Sequence, residues 1–261
     1  MSELLLECLL AVVAMMVLVW LGSLLTGRVC IIDAFWGPGF AMISILCMIR
    51  RSDQWSESWP YVLVGMVSVW ALRLALHLGT RIAHETKEDR RYQAMRDKYN
   101  PGFWWKSLGI VFLLQGIIMW IVALPLMAAF HQPQIGTNSV AFAVFGLIWL
   151  TGLFFEGVGD WQLNRFRANP ANQGRVLSEG LWRFTRHPNY FGDFLVWWGH
   201  WGCAYLLGAP FWTILSPILM SVFLMKVSGV GLLEKDIAER RPDYIAYRTA
   251  TNTFFPWFPQ K

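Results

Sequence analysis

Residues 4–25 read LLLECLLAVVAMMVLVWLGSLL, 22 positions carrying one charge, Glu7. A helix rises about 1.5 Å per residue and a bilayer's hydrocarbon core is about 30 Å thick, so a run of this length crosses a membrane. Comparable runs follow at Ile31–Ile49, Pro60–Gly79, Leu108–Phe130, Ser139–Glu156, Phe191–Leu207 and Pro210–Val227. The chain is 56% hydrophobic and 15% charged, against about 25% charged residues in a soluble domain. The expectation is an all-α, polytopic integral membrane protein with about seven transmembrane helices. The second run is interrupted by Asp33, Gly37, Pro38 and Gly39, and only Gly208-Ala209 divides the last two, so the count holds to within one. Glu3 and Glu7 stand where a signal peptide carries basic residues, which reads the first run as a retained span.

Charge placement sets the orientation, because lysine and arginine concentrate on the cytoplasmic side. Arg28, the Thr80–Ser107 loop, the Gly157–Tyr190 segment and the tail from Lys226 hold 19 of the 22 basic residues. Arg50 and Arg51 fall on the other face and Arg73 lies inside a span. The N-terminus is therefore expected outside and the C-terminus in the cytoplasm. The net charge of +5 follows from this asymmetry and suits anionic headgroups without any nucleic acid. Cys8, Cys30, Cys47 and Cys203 lie scattered in apolar runs, as buried thiols with no metal-type spacing. Neither a repeat nor a Ser/Gly/Pro-rich linker divides residues 1–261, so one membrane domain is expected, with a substrate-cavity half (1–130) and a cofactor-binding half (131–261). The sequence does not fix the oligomeric state, and a monomer is compatible with it.

Gly180–Asp193, Gly-Leu-Trp-Arg-Phe-Thr-Arg-His-Pro-Asn-Tyr-Phe-Gly-Asp, concentrates ionisable and amide groups directly before an apolar run. Such groups are costly to dehydrate at a membrane edge, so a charged ligand explains them better than packing does. Pro188 favours a helix start there, and a helix N-terminus attracts anions. Glu156, Asp160, Asn164 and Arg167 are spaced by four, four and three residues, one face of a helix if the fifth span continues into the cytoplasm. That face reads either as a solvated helix end with internal ion pairs or as a ligand site, in which guanidinium binds phosphate and carboxylate or amide groups hold hydroxyls. His84–Tyr99 suggests a short surface helix, and Asp89-Arg90-Arg91-Tyr92 within it a surface ion-pair network or, alternatively, a segment that closes over the cofactor.

Gly180–Asp193, Gly157-Val-Gly-Asp-Trp-Gln-Leu163 and Tyr244–Trp257 resemble the bacterial branch of the steroid 5-alpha-reductase family, across most of the chain. The resemblance implies a seven-span α-helical reductase of the bacterial inner membrane. Such an enzyme passes a hydride from NADPH to an α,β-unsaturated ketone or related lipid, with the cofactor held by the C-terminal half. By motif it assigns Asp160, Arg167, Asn189, Asp193 and Tyr247 to the cofactor site. Glu156, Asn164, Arg186, His187, Tyr190 and Tyr244 join that set by their neighbourhood. Arg73 matches a third-span arginine. Three residues earlier, where the eukaryotic steroid reductases use a tyrosine that acts with a glutamate on the substrate carbonyl, this chain has Trp70, which cannot supply a proton. Asp33 is then the candidate acid, as a buried carboxyl that donates to a carbonyl. Alternatively it caps the following helix or pairs with Arg73. Membrane methyltransferases using S-adenosylmethionine share a related Arg-His-Pro-x-Tyr core, and Leu233-Glu234-Lys235 followed by Tyr244–Tyr247 resembles their tail. That reaction class, and a non-enzymatic lipid-binding protein, remain alternatives.

Overall fold

The computed structural model describes residues 1–132, 137–227, 234 and 243–259, and among these the regular structure is helical with no strand. Five helical segments are long and apolar enough to cross a membrane: Ser2–Thr26, Val29–Gln54, Trp59–His84, Phe103–Val122 and Ser139–Ala168. Phe211–Lys226 is a shorter apolar segment. Of the seven expected spans, the sixth lies in a 19-residue helix, Pro188–Leu206, whose apolar character is diluted by Asn189, Asp193, His200 and three tryptophans. Leu108–Phe130, read as one span, is broken at Ala123: the helix through Val122 stops, and Leu124–His131 restarts with Pro125 in its first turn. Proline carries no N–H to continue the earlier ladder. Leu233 and Lys235 lie outside the described residues.

The first of two compact units comprises Met1–Thr137 and Ala204–Thr213. Helix α1 (Ser2–Thr26) ends at Gly27, whose φ of 70° is the left-handed conformation that glycine adopts most readily. A 3-10 turn, Val29–Phe35, leads into α2 (Trp36–Arg51), and α3 (Trp59–His84) packs on it. Gly37 sits so near the Ala71 backbone that a Cβ there has no room. Helix α4 (Arg90–Tyr99) starts at Asp89, whose carboxylate accepts the Arg91 backbone N–H. Helix α5 (Phe103–Val122) contains a π-helical segment, Leu108–Leu113, and α6 (Leu124–His131) follows.

The second unit comprises Asn138–Cys203 and Ile214–Lys261. Helix α7 (Ser139–Ala168) is capped by the Asn138 side chain and, at 30 residues, is about 45 Å long, so the fifth span does continue past Glu156 as one helix. It meets α8 (Pro188–Leu206) through glycines. Gly152 lies against the Gly192 carbonyl and the Val196 N–H, Gly192 against the Glu156 backbone, and Gly199 against the Trp149 backbone. Gly152 and Gly159 are seven residues apart, as are Gly192 and Gly199. Small residues in register let two backbones approach closely, which aligns Glu156 and Asp160 with the first turns of α8. Helices α9 (Leu215–Val222) and α10 (Asp243–Ala250) complete the unit.

Candidate functional site

In the second unit, the Gly180–Asp193 motif is organised around Arg186, which is 7% exposed. Its Nε and Nη2 donate to the two oxygens of Glu234 at 2.8 and 3.0 Å. Nη1 donates to the Arg248 and Thr251 carbonyls at 2.9 and 2.7 Å, and Nη2 also to Thr253 Oγ1 at 2.7 Å. A guanidinium has five N–H donors, and these contacts use all of them inside the protein. The sequence reading placed Arg186 against the cofactor; in this arrangement it binds the chain's own tail. The backbone reinforces that latch, with Arg186 N–H donating to Asn252 O and Trp257 N–H to Phe184 O. Thr185 Oγ1 donates to Phe254 O at 2.8 Å.

Glu234 also meets His187 Nε2 at 2.9 Å. Burial pushes its carboxyl up, yet the hydrogen bonds from His187 and Arg186 and the arginine's charge outweigh this and hold it down at about 2. Burial and the nearby Glu234 charge raise the Tyr244 phenol, and burial followed by Tyr244 raises Tyr247. Tyr247 donates its proton to the Trp182 carbonyl at 2.6 Å, and Trp182 Nε1 donates to Gly159 O of α7 at 3.1 Å. The tail, the motif and α7 are thus joined through Trp182, and Tyr247 serves that joint.

The remaining motif residues meet α7. Asn189 Nδ2 donates to Asp160 Oδ1 at 3.0 Å, while its own Oδ1 accepts the Tyr190 N–H at 3.1 Å. Asp160 and Glu156 are buried on α7, 6% and 4% exposed, whereas Asn164 and Arg167 further along the helix are exposed. The Tyr190 ring stacks on His187 at 5.7 Å between centroids with 5° between planes. Asp193 lies half-buried one turn after Asn189. The expected face therefore forms, with a buried acidic end joined to α8 and a polar end in solvent.

In the first unit, Asp33 sits in the 3-10 turn before α2, which carries no side-chain cap, so the acid is not that helix's cap. Its bonds come from the loop helix α4: Tyr92 OH donates to Oδ1 at 2.6 Å and Arg91 Nη2 to Oδ2 at 2.8 Å, where the sequence reading had offered Arg73. Gln115 Nε2 donates to the Tyr92 oxygen at 3.1 Å, and Trp36 Nε1 to Gln115 Oε1 at 2.7 Å. Arg91 also holds Asp89 at 3.0 Å. Burial lowers the Arg91 guanidinium, but the Asp33 and Asp89 charges outweigh it and raise it overall. Burial and the Asp33 charge raise the Tyr92 phenol, so it stays protonated as a donor at neutral pH. Glu88 tightens the junction by accepting the Val29 and Cys30 N–H groups at 2.6 and 3.0 Å. Trp70 is buried on α3 beside Phe40, at 5.8 Å between rings, and Arg73 is half-buried one turn on.

Sequence reasoning left Glu234, Thr251, Thr253, Gln115 and Trp36 out of the site. Threonines alternating at 249, 251 and 253 are the signal that points to the latch; Glu234 is one of four acids in the tail and does not stand out.

The family model described as "Protein of unknown function (DUF1295)" matches residues 19–253. The chain belongs to this family. Two curated relatives are similar over part of their length. Delta(14)-sterol reductase of Ascobolus immersus is 27% identical over 148 residues, 50% of this chain and 31% of its own. Delta(14)-sterol reductase erg24 of Schizosaccharomyces pombe is 30% identical over 132 residues, 46% of this chain and 28% of its own. The chain thus spans about a third of the length of each of these relatives. No solved structure matches.

Proposed function

We propose that this protein is an NADPH-dependent membrane reductase of a carbon–carbon double bond in a sterol-like or isoprenoid-type lipid, as the bacterial steroid 5-alpha-reductase-like proteins are. The observation that carries the reading is the pair of buried Asp160 and half-buried Asn189, which joins α7 to α8 in a chain whose curated relatives are named sterol reductases. The donor set fits a dinucleotide. Asp160, Glu156, Asn164 and Asn189 offer acceptors and amides for hydroxyl and carboxamide groups, Tyr190 and His187 a stacked face, and Arg167 an exposed cation for phosphate. Asp193 and Tyr244 border this set, while Arg186 and Tyr247 hold the tail that frames it. NADPH bound there supplies the hydride.

Reduction of an enone places negative charge on the substrate oxygen, which an acid or strong donor has to meet. We assign that task to Asp33 together with Tyr92, with Trp70 and Arg73 lining the same half of the chain. The Asp33 carboxyl and the Tyr92 phenol share a hydrogen bond at 2.6 Å, and this pair is the group that would meet the enone oxygen as negative charge develops there. The lipid substrate reaches the protein from the membrane, and a monomer suffices.

The commitment of all five Arg186 donors leaves one motif cation fewer for phosphate, which favours a sulfonium cofactor, S-adenosylmethionine, as the second reading. Mass spectrometry of the supernatant from denatured, gently purified protein separates the two: NADPH or NADP is expected, and retained S-adenosylmethionine overturns the reductase. Arg167→Ala is expected to weaken NADPH binding by about 1.5–3 kcal/mol by calorimetric titration, the scale of a hydrogen bond to a charged group, in a protein of unchanged thermal midpoint. Unchanged affinity removes Arg167 from the site.

A further inference from the structure

Outside both polar networks, Cys8 of α1 and Cys47 of α2 face each other with their sulfurs 3.8 Å apart, and both are fully buried. The other two cysteines are engaged differently: Cys30 receives Arg28 Nη2 at 3.6 Å, and Cys203 lies against the Phe142 carbonyl at 3.9 Å. A disulfide needs its sulfurs at about 2.0 Å, so closing this pair takes an approach of roughly 1.8 Å between side chains of two packed helices. The pair lies close to one end of both helices. Glu7 precedes Cys8, Arg50 follows Cys47 by one helical turn, and the two form an ion pair at 3.0 Å with side chains 39% and 57% exposed. By the basic-residue asymmetry this end of the helices is the outer one, where disulfides persist.

We propose that Cys8 and Cys47 form a dithiol that is oxidised to a disulfide at the outer end of α1 and α2. In the reaction one thiolate, exposed by local opening of the helix ends, attacks an external disulfide and expels one thiol. The second cysteine then attacks the mixed disulfide and expels the other. The pair loses two protons and two electrons, and the external disulfide becomes two thiols. The cross-link closes the segment between residues 39 apart, which contains the Val29–Phe35 turn and Asp33. Closing such a loop restricts the unfolded chain and so stabilises the folded one. The inference rests on the orientation and is independent of the reductase reading.

The test uses the full chain in its native membrane, quenched with acid, blocked with N-ethylmaleimide under denaturing conditions and mapped by peptide mass. Two blocked cysteines, Cys30 and Cys203, and a Cys8–Cys47 cross-linked peptide are expected, with four labelled cysteines only after reduction. Cys47→Ser should leave Cys8 labelled without reduction. In detergent, oxidised glutathione should raise the thermal midpoint of the reduced wild type and leave that of Cys8→Ser unmoved. Four labelled cysteines in unreduced membranes overturn the proposal, as does a cross-link that uses Cys30 or Cys203, or one that forms only after solubilisation. A reporter fused after Lys261 identifies the cause of a reduced pair: an external signal there means that the orientation failed.

Discussion

Each unit contains a carboxylate joined to a guanidinium, and the two pairs differ in how much water they have lost. Arg186 and Glu234 have side chains 7% and 12% exposed; Arg91 and Asp33 have side chains 36% and 15% exposed. The first pair is surrounded by carbonyls and a hydroxyl that use every remaining donor, so removing one partner strands several buried groups at once. The second lies against a surface loop, where solvent can replace part of what is lost. The same ion pair therefore acts as a structural latch in one unit and as an adjustable support for a candidate acid in the other.

The largest effect is expected from Arg186→Met. Breaking a buried pair leaves its partner uncompensated at a cost of about 3–5 kcal/mol, which thermal unfolding in detergent should register as a large drop in midpoint. A midpoint near wild type would show that the latch is dispensable. Asp33→Asn comes next. It keeps an oxygen for Tyr92 but loses the charge that Arg91 meets, and turnover of an enone lipid should fall about 10²-fold while NADPH affinity holds. Tyr92→Phe should lower turnover in the same direction. Full activity per folded molecule in Asp33→Asn reduces the first-unit network to a strap.

An acid titration distinguishes the pairs by pH. The Glu234 carboxyl sits at about 2 in the folded protein against 4.5 ordinarily, so its stabilisation is complete above 4.5 and is lost as the pH falls toward 2. The midpoint difference between wild type and Glu234→Gln should therefore shrink over that window; a constant difference contradicts an ionised latch. The smallest effect is expected from Arg91→Gln. The Arg91 side chain is 36% exposed, so solvent takes over part of what is lost; the drop in midpoint should stay below that of Arg186→Met, and added salt should shrink it. A loss as large as that of Arg186→Met would erase the contrast between the units.

Much of the fold was legible because its signals are local. Apolar length identified five of the seven expected spans, and the four-four-three spacing placed Glu156, Asp160, Asn164 and Arg167 on one helix face. Breaks were harder to read, since Pro125 inside an apolar run and the polar residues of Pro188–Leu206 change what a helix does without changing the run's length. The pairings that define both networks were out of reach. Glu234 meets Arg186 across 48 residues and Tyr92 meets Asp33 across 59, and no helical period connects such positions. Asp89-Arg90-Arg91-Tyr92 read correctly as an ion-pair segment, but which acid it sought depended on how α4 folds back on the first helices.

The seven-residue glycine register of α7 and α8 bears on how this polar set can change over time. Where two helices touch backbone to backbone, the spacing of the groups they carry is set by main-chain atoms and hardly at all by side-chain packing. Side chains at 156, 160, 189 and 193 can then be exchanged for others without disturbing the frame that presents them. One scaffold could so pass from one ligand chemistry to another by substitutions at its rim, while its glycines stay as they are.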